Sequence, residues 1–249
     1  MDIVDEIKKS KKYKHISKEI IKKYTDRVRK KYPKANEKSL IKEVKSELHK
    51  IAGFSKDIMK REKLLGKGDY VGILKTNQST NERLKDYRDL YKEIFEITGI
   101  PKSILDLACG INPISIIFMD FKPNYYAYDI NEADVEIVNK FFKQEKIKGK
   151  AEVMDVSKIG NIKKLPKTDI CFLFKALDVL ENKGHKYSEE LIKALKCKYI
   201  VASFATKTIG GKKMRYGYRG WIERMLERIG YSYHKRELSN EVFYIISKP

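Results

Sequence analysis

Ser103-Ile-Leu-Asp-Leu-Ala-Cys-Gly-Ile-Asn-Pro113, followed downstream by Asp129 and Asp155, places a glycine turn and two acids where a nucleoside could be held. Ile104, Leu105 and Leu107 make an apolar run of strand length. Gly110 then lets backbone come close to a ligand as the chain turns toward a helix. A second apolar run, Tyr125-Tyr-Ala-Tyr-Asp-Ile130, carries an acid at its end, Asp129. In an open α/β sheet the ligand lies across the carboxyl ends of the strands, where an acid after the second strand accepts from both ribose hydroxyls. Helix capping is the competing role for Asp129, because Asn131 and Glu132 follow it. Asp155, after Ala-Glu-Val-Met, is placed to accept from an adenine amino group; a loop acid or cap is an equal alternative. The turn has one Gly and no Lys-Ser/Thr, so it lacks the features that cradle a pyrophosphate. A nucleoside without phosphates, such as S-adenosylmethionine, is the expected cofactor. Its candidate contacts are Ala108, Cys109 and Gly110 after the first strand, Asp129 and Ile130 after the second, Asp155 after the third, and Phe174 and Lys175 after the fourth.

The elements that must position these residues follow from periodicity. Apolar runs alternate with helical patterns from residue 78 onward: helix 82–97, strand 103–108, helix 113–120, strand 125–130, helix 132–146, strands 150–154 and 169–174, helix 187–196, strand 198–204 and helix 218–229. Strands 231–238 and 241–247 follow without an intervening helix and are expected to be antiparallel. The pattern predicts an α/β fold, the seven-stranded, Rossmann-like class I sheet of S-adenosylmethionine-dependent methyltransferases. Residues 1–77 read as helices alone. Ile16, Ile20, Ile21 and Tyr24, then Leu40, Ile41, Val44 and Leu48, recur at helical spacing, with lysines on the other faces. Tyr32-Pro33 separates two of these helices, and Asn36 or Ser39 is placed to cap the later one. Two domains are expected, a basic helical domain over 1–77 and a methyltransferase domain over 78–249.

Net charge is +20, and the first 78 residues carry 23 Lys/Arg against 11 Asp/Glu. An excess of this size fits a polyanionic partner, because each phosphate neutralised releases counterions. The helical domain is therefore expected to dock RNA, and its deletion to leave cofactor binding largely intact. Cys109, Cys171 and Cys197 are scattered and have no His at ligand spacing. That pattern predicts neither zinc nor disulfides, and a cytoplasmic location. Cys109 is expected to pack the glycine turn rather than act as a nucleophile. No apolar run approaches a membrane span, so a soluble protein without a membrane partner is expected; a monomer is expected as well. His15, His49, His185 and His234 are assigned no role.

Gln78-Ser-Thr-Asn-Glu-Arg-Leu84, the Leu105–Pro113 turn, Ser203-Phe-Ala-Thr-Lys-Thr-Ile-Gly-Gly211 and Asn240-Glu-Val-Phe-Tyr-Ile245 together resemble the 16S rRNA (guanine-N7) methyltransferases that confer aminoglycoside resistance. The resemblance runs from about residue 78 to the end of the chain and extends more weakly into the helical domain. It implies that Arg83 faces the methionine carboxylate with Thr80 beside it, that Asp129 binds ribose, and that Asp155 lies near adenine. It also implies that Ser203, Phe204 and Lys207 line a target pocket, and that Asn240 and Glu241 lie by the flipped guanine or support its pocket. Lys212, Lys213 and Arg215 are expected on the RNA side. The chain departs from the family at Ala205, where Pro is frequent, and at Lys213-Met214-Arg215, where the motif usually runs toward a Gly-Met pair.

The implied partner is the small ribosomal subunit. Guanine N7 carries no proton, so its methylation needs orientation rather than a general base. Phe204 and Glu241 are the candidates for favouring the cationic product. Reaching a paired base requires flipping it out of the helix. Three alternatives remain: methylation of another RNA base, a small-molecule methyltransferase of the same fold, and a non-catalytic rRNA-binding assembly factor.

Overall fold

A computed structural model describes residues 2–10, 12–14, 16–51, 58–181, 185–207, 214 and 219–249. The RNA-side candidates Lys212, Lys213 and Arg215, and also His15, lie outside the described residues. The strands are β1 (Ser103–Leu107), β2 (Asn124–Asp129), β3 (Gly149–Val153), β4 (Thr168–Phe174), β5 (Cys197–Ala205), β6 (Ser232–Leu238) and β7 (Glu241–Ser247). They form one sheet in the order β3-β2-β1-β4-β5-β7-β6. β1 to β5 pair in parallel, while β7 runs antiparallel to both β5 and β6. β1 therefore has β2 on one side and β4 on the other, which is the switch point at which such sheets hold ligands.

Side chains alternate between the two buried faces, as strand geometry requires. Ile104, Phe172, Val201 and Phe243 fill the core on one face. Leu105, Leu173, Ala202 and Tyr244 fill the other. The helices covering the sheet include α7 (Tyr87–Thr98), α8 (Glu132–Gln144), α11 (Lys186–Ala194) and α12 (Gly220–Arg228). Two expected elements differ. In place of the helix foreseen at 82–97 there are two, α6 (Gln78–Arg83), whose start Asn77 caps by accepting from Ser79 N and Thr80 N, and α7, with a turn over 84–86 between them. The helix foreseen at 113–120 is a 3-10 segment, Asn112–Phe118, opened by Pro113.

Helices α1 (Ile3–Lys8), α2 (Lys18–Lys31) and α3 (Glu37–Ile51) build a third core from Ile7, Ile21, Tyr24, Val44 and Leu48. Asn36 supplies the expected cap, accepting from Ser39 N at 2.9 Å. The packing boundary does not fall at residue 77. Helices α4 (Ile58–Gly66) and α5 (Tyr70–Leu74) send Leu65, Ile73 and Leu74 into the sheet core. In the other direction, Ile130 at the end of β2 is buried in the core of the bundle. An Ile16–Asn131 bridge and a Lys8–Glu132 contact at 3.8 Å reinforce this join. No described helix is long and apolar enough to cross a membrane.

Candidate active site

A cleft of about 420 Å³ opens at the carboxyl ends of the parallel strands. Every candidate cofactor residue lines it: Thr80, Arg83, Ala108, Cys109, Gly110, Asp129, Ile130, Asp155, Phe174 and Lys175. Ala108 and Lys175, directly after β1 and β4, both take positive φ (53° and 54°), a conformation L residues adopt at some cost. Lys175 is held there by two bonds from its N–H to Ser203, at 3.1 Å to the carbonyl and 3.0 Å to Oγ. Gly110 also has positive φ (50°), and a Cβ there would come no nearer than 3.8 Å to Asn77 or Asp134. Glycine takes this φ without the cost that Ala108 bears two residues earlier, and space remains on its side-chain face.

One end of the cleft rests on a buried polar network. Arg83 donates from Nε to Glu241 at 3.0 and 3.2 Å, and from Nη1 to Asn112 at 2.9 Å and to the Tyr87 hydroxyl at 3.2 Å. Its guanidinium lies 5.0 Å from the centre of the Phe174 ring. Ser203 Oγ donates to Glu241, and Lys175 Nζ stands 3.4 Å from the same carboxylate while donating to Glu82 at 2.6 Å. Asn112 and Tyr125 each donate to Asp106 Oδ2 at 2.8 Å. Asp106 Oδ1 is buried and has no partner among the described residues. Burial pushes the Asp106 carboxyl up to about 7 against the pull of Asn112, Tyr125 and Arg83.

The middle of the cleft is set by Asp129. It accepts from Gly110 N at 2.8 Å and from Asn131 N at 2.9 Å, and burial raises its carboxyl above the ordinary range. It does not cap α8; Asn131 does, accepting from Ala133 N and Asp134 N. Asp134 is salt-bridged to the buried Arg61 of α4, and burial lifts its carboxyl to about 7. Burial, then the nearby acids Asp106, Asp129 and Asp134, drive the Cys109 thiol well upward, so it packs the turn as a neutral group.

At the other end, Asp155 Oδ1 accepts from Ser157 N at 2.9 Å and from Ser157 Oγ at 2.5 Å. Its Oδ2 accepts from Lys23 Nζ of α2. Tyr24 of α2 and His49 of α3 also line the cleft. The bundle is therefore part of the cleft wall, contrary to the expectation that it could be removed without touching the cofactor site. Asp106, Asn112, Asp134, Tyr24, Lys23 and His49 were not among the residues the sequence pointed to. For Asp106 a signal existed, an acid inside the apolar run Ile104–Leu107. For the bundle residues none did, since their place depends on tertiary docking.

The expected target-side residues separate. Phe204 is 0% exposed, packed edge-on against Trp221 and Tyr244 in the core of the opposite sheet face. It cannot stack on a base, because strand alternation turns it away from the face that carries Ser203. Ser203 is likewise 0% exposed, with its hydroxyl committed to Glu241 and Lys175, so it supports the cleft from below instead of facing a substrate. Glu241 is buried under Arg83 and Lys175 and serves as their counter-charge rather than as a surface for a cationic base. Asn240, half-buried in the β6–β7 turn, hydrogen-bonds Glu82 through its side chain and accepts from Thr206 N at 2.8 Å. Lys207 is exposed at the end of this edge.

The model of the ribosomal RNA methyltransferase (FmrO) family matches residues 9–245. The chain belongs to that family. It is 27% identical over 179 residues to a 16S rRNA (guanine(1405)-N(7))-methyltransferase of Frankia casuarinae, covering 70% of this chain and 62% of the relative. It is 29% identical over 184 residues to the protein of the same description from Proteus mirabilis, covering 71% and 64%. The chain thus spans less than two thirds of the length of these curated relatives. Among solved structures, 16S rRNA methyltransferase RmtF in complex with S-adenosyl-L-homocysteine superposes with a TM-score of 0.85 at 24% identity, covering all of both chains. For this FmrO-family chain that likeness establishes the fold, a seven-stranded methyltransferase sheet, over its whole length.

Proposed function

We propose that this protein is an S-adenosylmethionine-dependent rRNA methyltransferase that modifies guanine N7 at the decoding A-site of 16S rRNA in assembled small subunits. The family match over residues 9–245 supports the reaction class. The observation that carries the cofactor is the cleft at the sheet's switch point, where Arg83, the unpartnered Asp106 oxygen, Asp129 and Asp155 stand around one space. The set fits S-adenosylmethionine group by group. Arg83 suits the α-carboxylate, Asp106 Oδ1 the α-ammonium, Asp129 the ribose hydroxyls, and Asp155 the adenine amino group. Gly110 lets backbone approach the amino-acid portion.

When bound, S-adenosylmethionine supplies an electrophilic methyl group. The chain's own part is to orient and to exclude water. Arg83, fixed from behind by Glu241, Asn112 and Tyr87, offers a preorganised positive site for a carboxylate. Asp106 would give up its proton and hold the α-ammonium as a carboxylate. Guanine N7 has no proton to remove, so the chemistry places no demand on Cys109 or on a His base, and orientation supplies the rate. Lys207 and the basic segment around Lys212, Lys213 and Arg215 would meet phosphates. On the bundle, the exposed Lys22, Arg29, Lys30, Lys31, Lys34 and Lys38 form the docking surface for the small subunit. The same reading extends to aminoglycoside resistance, because the decoding site is where those drugs bind.

Incubation with small subunits and methyl-labelled cofactor, followed by borohydride and aniline, tests this directly. One new cleavage in the decoding region, stronger in assembled subunits than in naked rRNA, is expected. Label on adenine N1 or on a ribose would refute the target and leave the cofactor standing. Cofactor binding with no transfer would support the non-catalytic rRNA binder instead.

A further inference from the structure

We propose that Lys23, on helix α2 of the N-terminal bundle, is a positioning residue of the cofactor cleft: it holds the Asp155 carboxylate so that one acceptor position stays open for the exocyclic amino group of adenine. This role presupposes that the cleft takes S-adenosylmethionine, as proposed above.

The case begins with the acceptors of Asp155, which is 8% exposed. An ionised carboxylate offers about four lone-pair sites. Ser157 N and Ser157 Oγ occupy both sites on Oδ1, and Lys23 Nζ takes one on Oδ2. The remaining site belongs to an oxygen whose residue lines the cleft. A single amino N–H fills it, and Lys23 need not leave. The pair is anchored from both sides. Asn161 Nδ2 donates to the Asp155 carbonyl at 2.9 Å, while Tyr24, the residue after Lys23, is buried in the bundle core.

Lys23 differs from the other cations of its helix. Lys22, Arg29, Lys30 and Lys31 are exposed, whereas Lys23 is turned inward and its side chain keeps 28% of its exposure. Burial, with Lys158 and Arg27 nearby, lowers its ammonium to about 8. Its ammonium donates to the Asp155 carboxylate. Its position is therefore suited to Asp155 and poorly suited to RNA phosphates.

S-adenosylhomocysteine and S-inosylhomocysteine, which replaces the amino group with a carbonyl oxygen, separate this role from general stability. Calorimetric titrations would compare the intact protein with Lys23→Met, Lys23→Arg and Asp155→Asn, each checked for folding by thermal melting. The intact protein is expected to favour the adenosyl compound. Lys23→Met should weaken adenosyl binding about tenfold, the scale of a charge-assisted hydrogen bond. It should leave inosyl binding nearly unchanged, so that discrimination shrinks. Lys23→Arg should restore it, and in the Asp155→Asn background Lys23→Met should add nothing. Unchanged discrimination in a folded Lys23→Met protein overturns the proposal. So does tighter adenosyl binding, which would mean that Lys23 competes with adenine for Asp155. An intact protein that binds neither compound removes the cofactor reading, and this role with it; normal adenosyl binding with no effect of Lys23 removes this role alone.

Discussion

The two ends of the cleft are built by different means. At the Arg83 end all the groups come from elements of the sheet core: α6, α7, β1, β4, β5 and β7 converge on a network whose members are nearly all buried. At the Asp155 end the groups come from two cores, with Lys23, Tyr24 and His49 supplied by the bundle. The first end is positioned by strand register together with α6, α7 and the 3-10 segment packed on the sheet. The second is positioned by how the bundle seats on Ile130 and Asn131. A ligand spanning both would bind to a rigid site at one end and report on interdomain packing at the other.

That difference breaks down if a substitution at the first end acts locally. Glu241→Ala leaves Arg83 and Lys175 facing a vacated buried site, so stability should fall by about 3–5 kcal/mol, and cofactor affinity with it. Denaturant unfolding checks the first effect and calorimetry the second. A near-neutral Glu241→Ala would show that the network is not a unit. Asp129 sits between the two ends and accepts from the backbone N–H groups of Gly110, Ile130 and Asn131. Asp129→Ala should weaken S-adenosylmethionine by about 1–3 kcal/mol while the fold persists. Unchanged affinity in the folded variant would take Asp129 out of the site.

The smallest effect is on pH. Burial raises Asp106 from the ordinary carboxylate value to about 7, so its proton is retained in the folded protein at pH values where the unfolded chain has lost it. The sign is that of a destabilising acid: stability declines as pH rises from the unfolded value toward 7 and levels off above it. For a cationic ammonium the ionised form is the better partner, so cofactor affinity should rise as pH climbs toward about 7 and level off above it, with proton release on binding below that point. Asp106→Asn should flatten that slope. A slope that survives the substitution points to another group, of which Asp134, also near 7, is the first to examine.

The glycine turn and Asp129 were legible because each follows directly from a short apolar run, and strand ends are where such sheets hold ligands. The antiparallel ending was legible because no helix separates residues 231–238 from 241–247. Ser203 and Phe204 were not assigned to the correct faces, because β5 is apolar on both sides and an unbroken run carries no parity signal. The break between α6 and α7 was missed because Leu84 and Tyr87 keep the helical spacing across it. Lys23 and His49 could not be found from spacing at all. They share helices with solvent-facing lysines, and only the docking of the bundle against the sheet brings Lys23 to Asp155 and His49 to the cleft.

The central claim is that one cofactor spans both ends of the cleft, and a crystal structure of the protein with S-adenosylhomocysteine tests it most directly. The expected complex has the carboxylate on Arg83, the ribose hydroxyls on Asp129 and the adenine amino group on Asp155, with the Lys23–Asp155 pair retained. Ligand bound away from Arg83 and Asp129, or adenine seated without Asp155, would contradict the account.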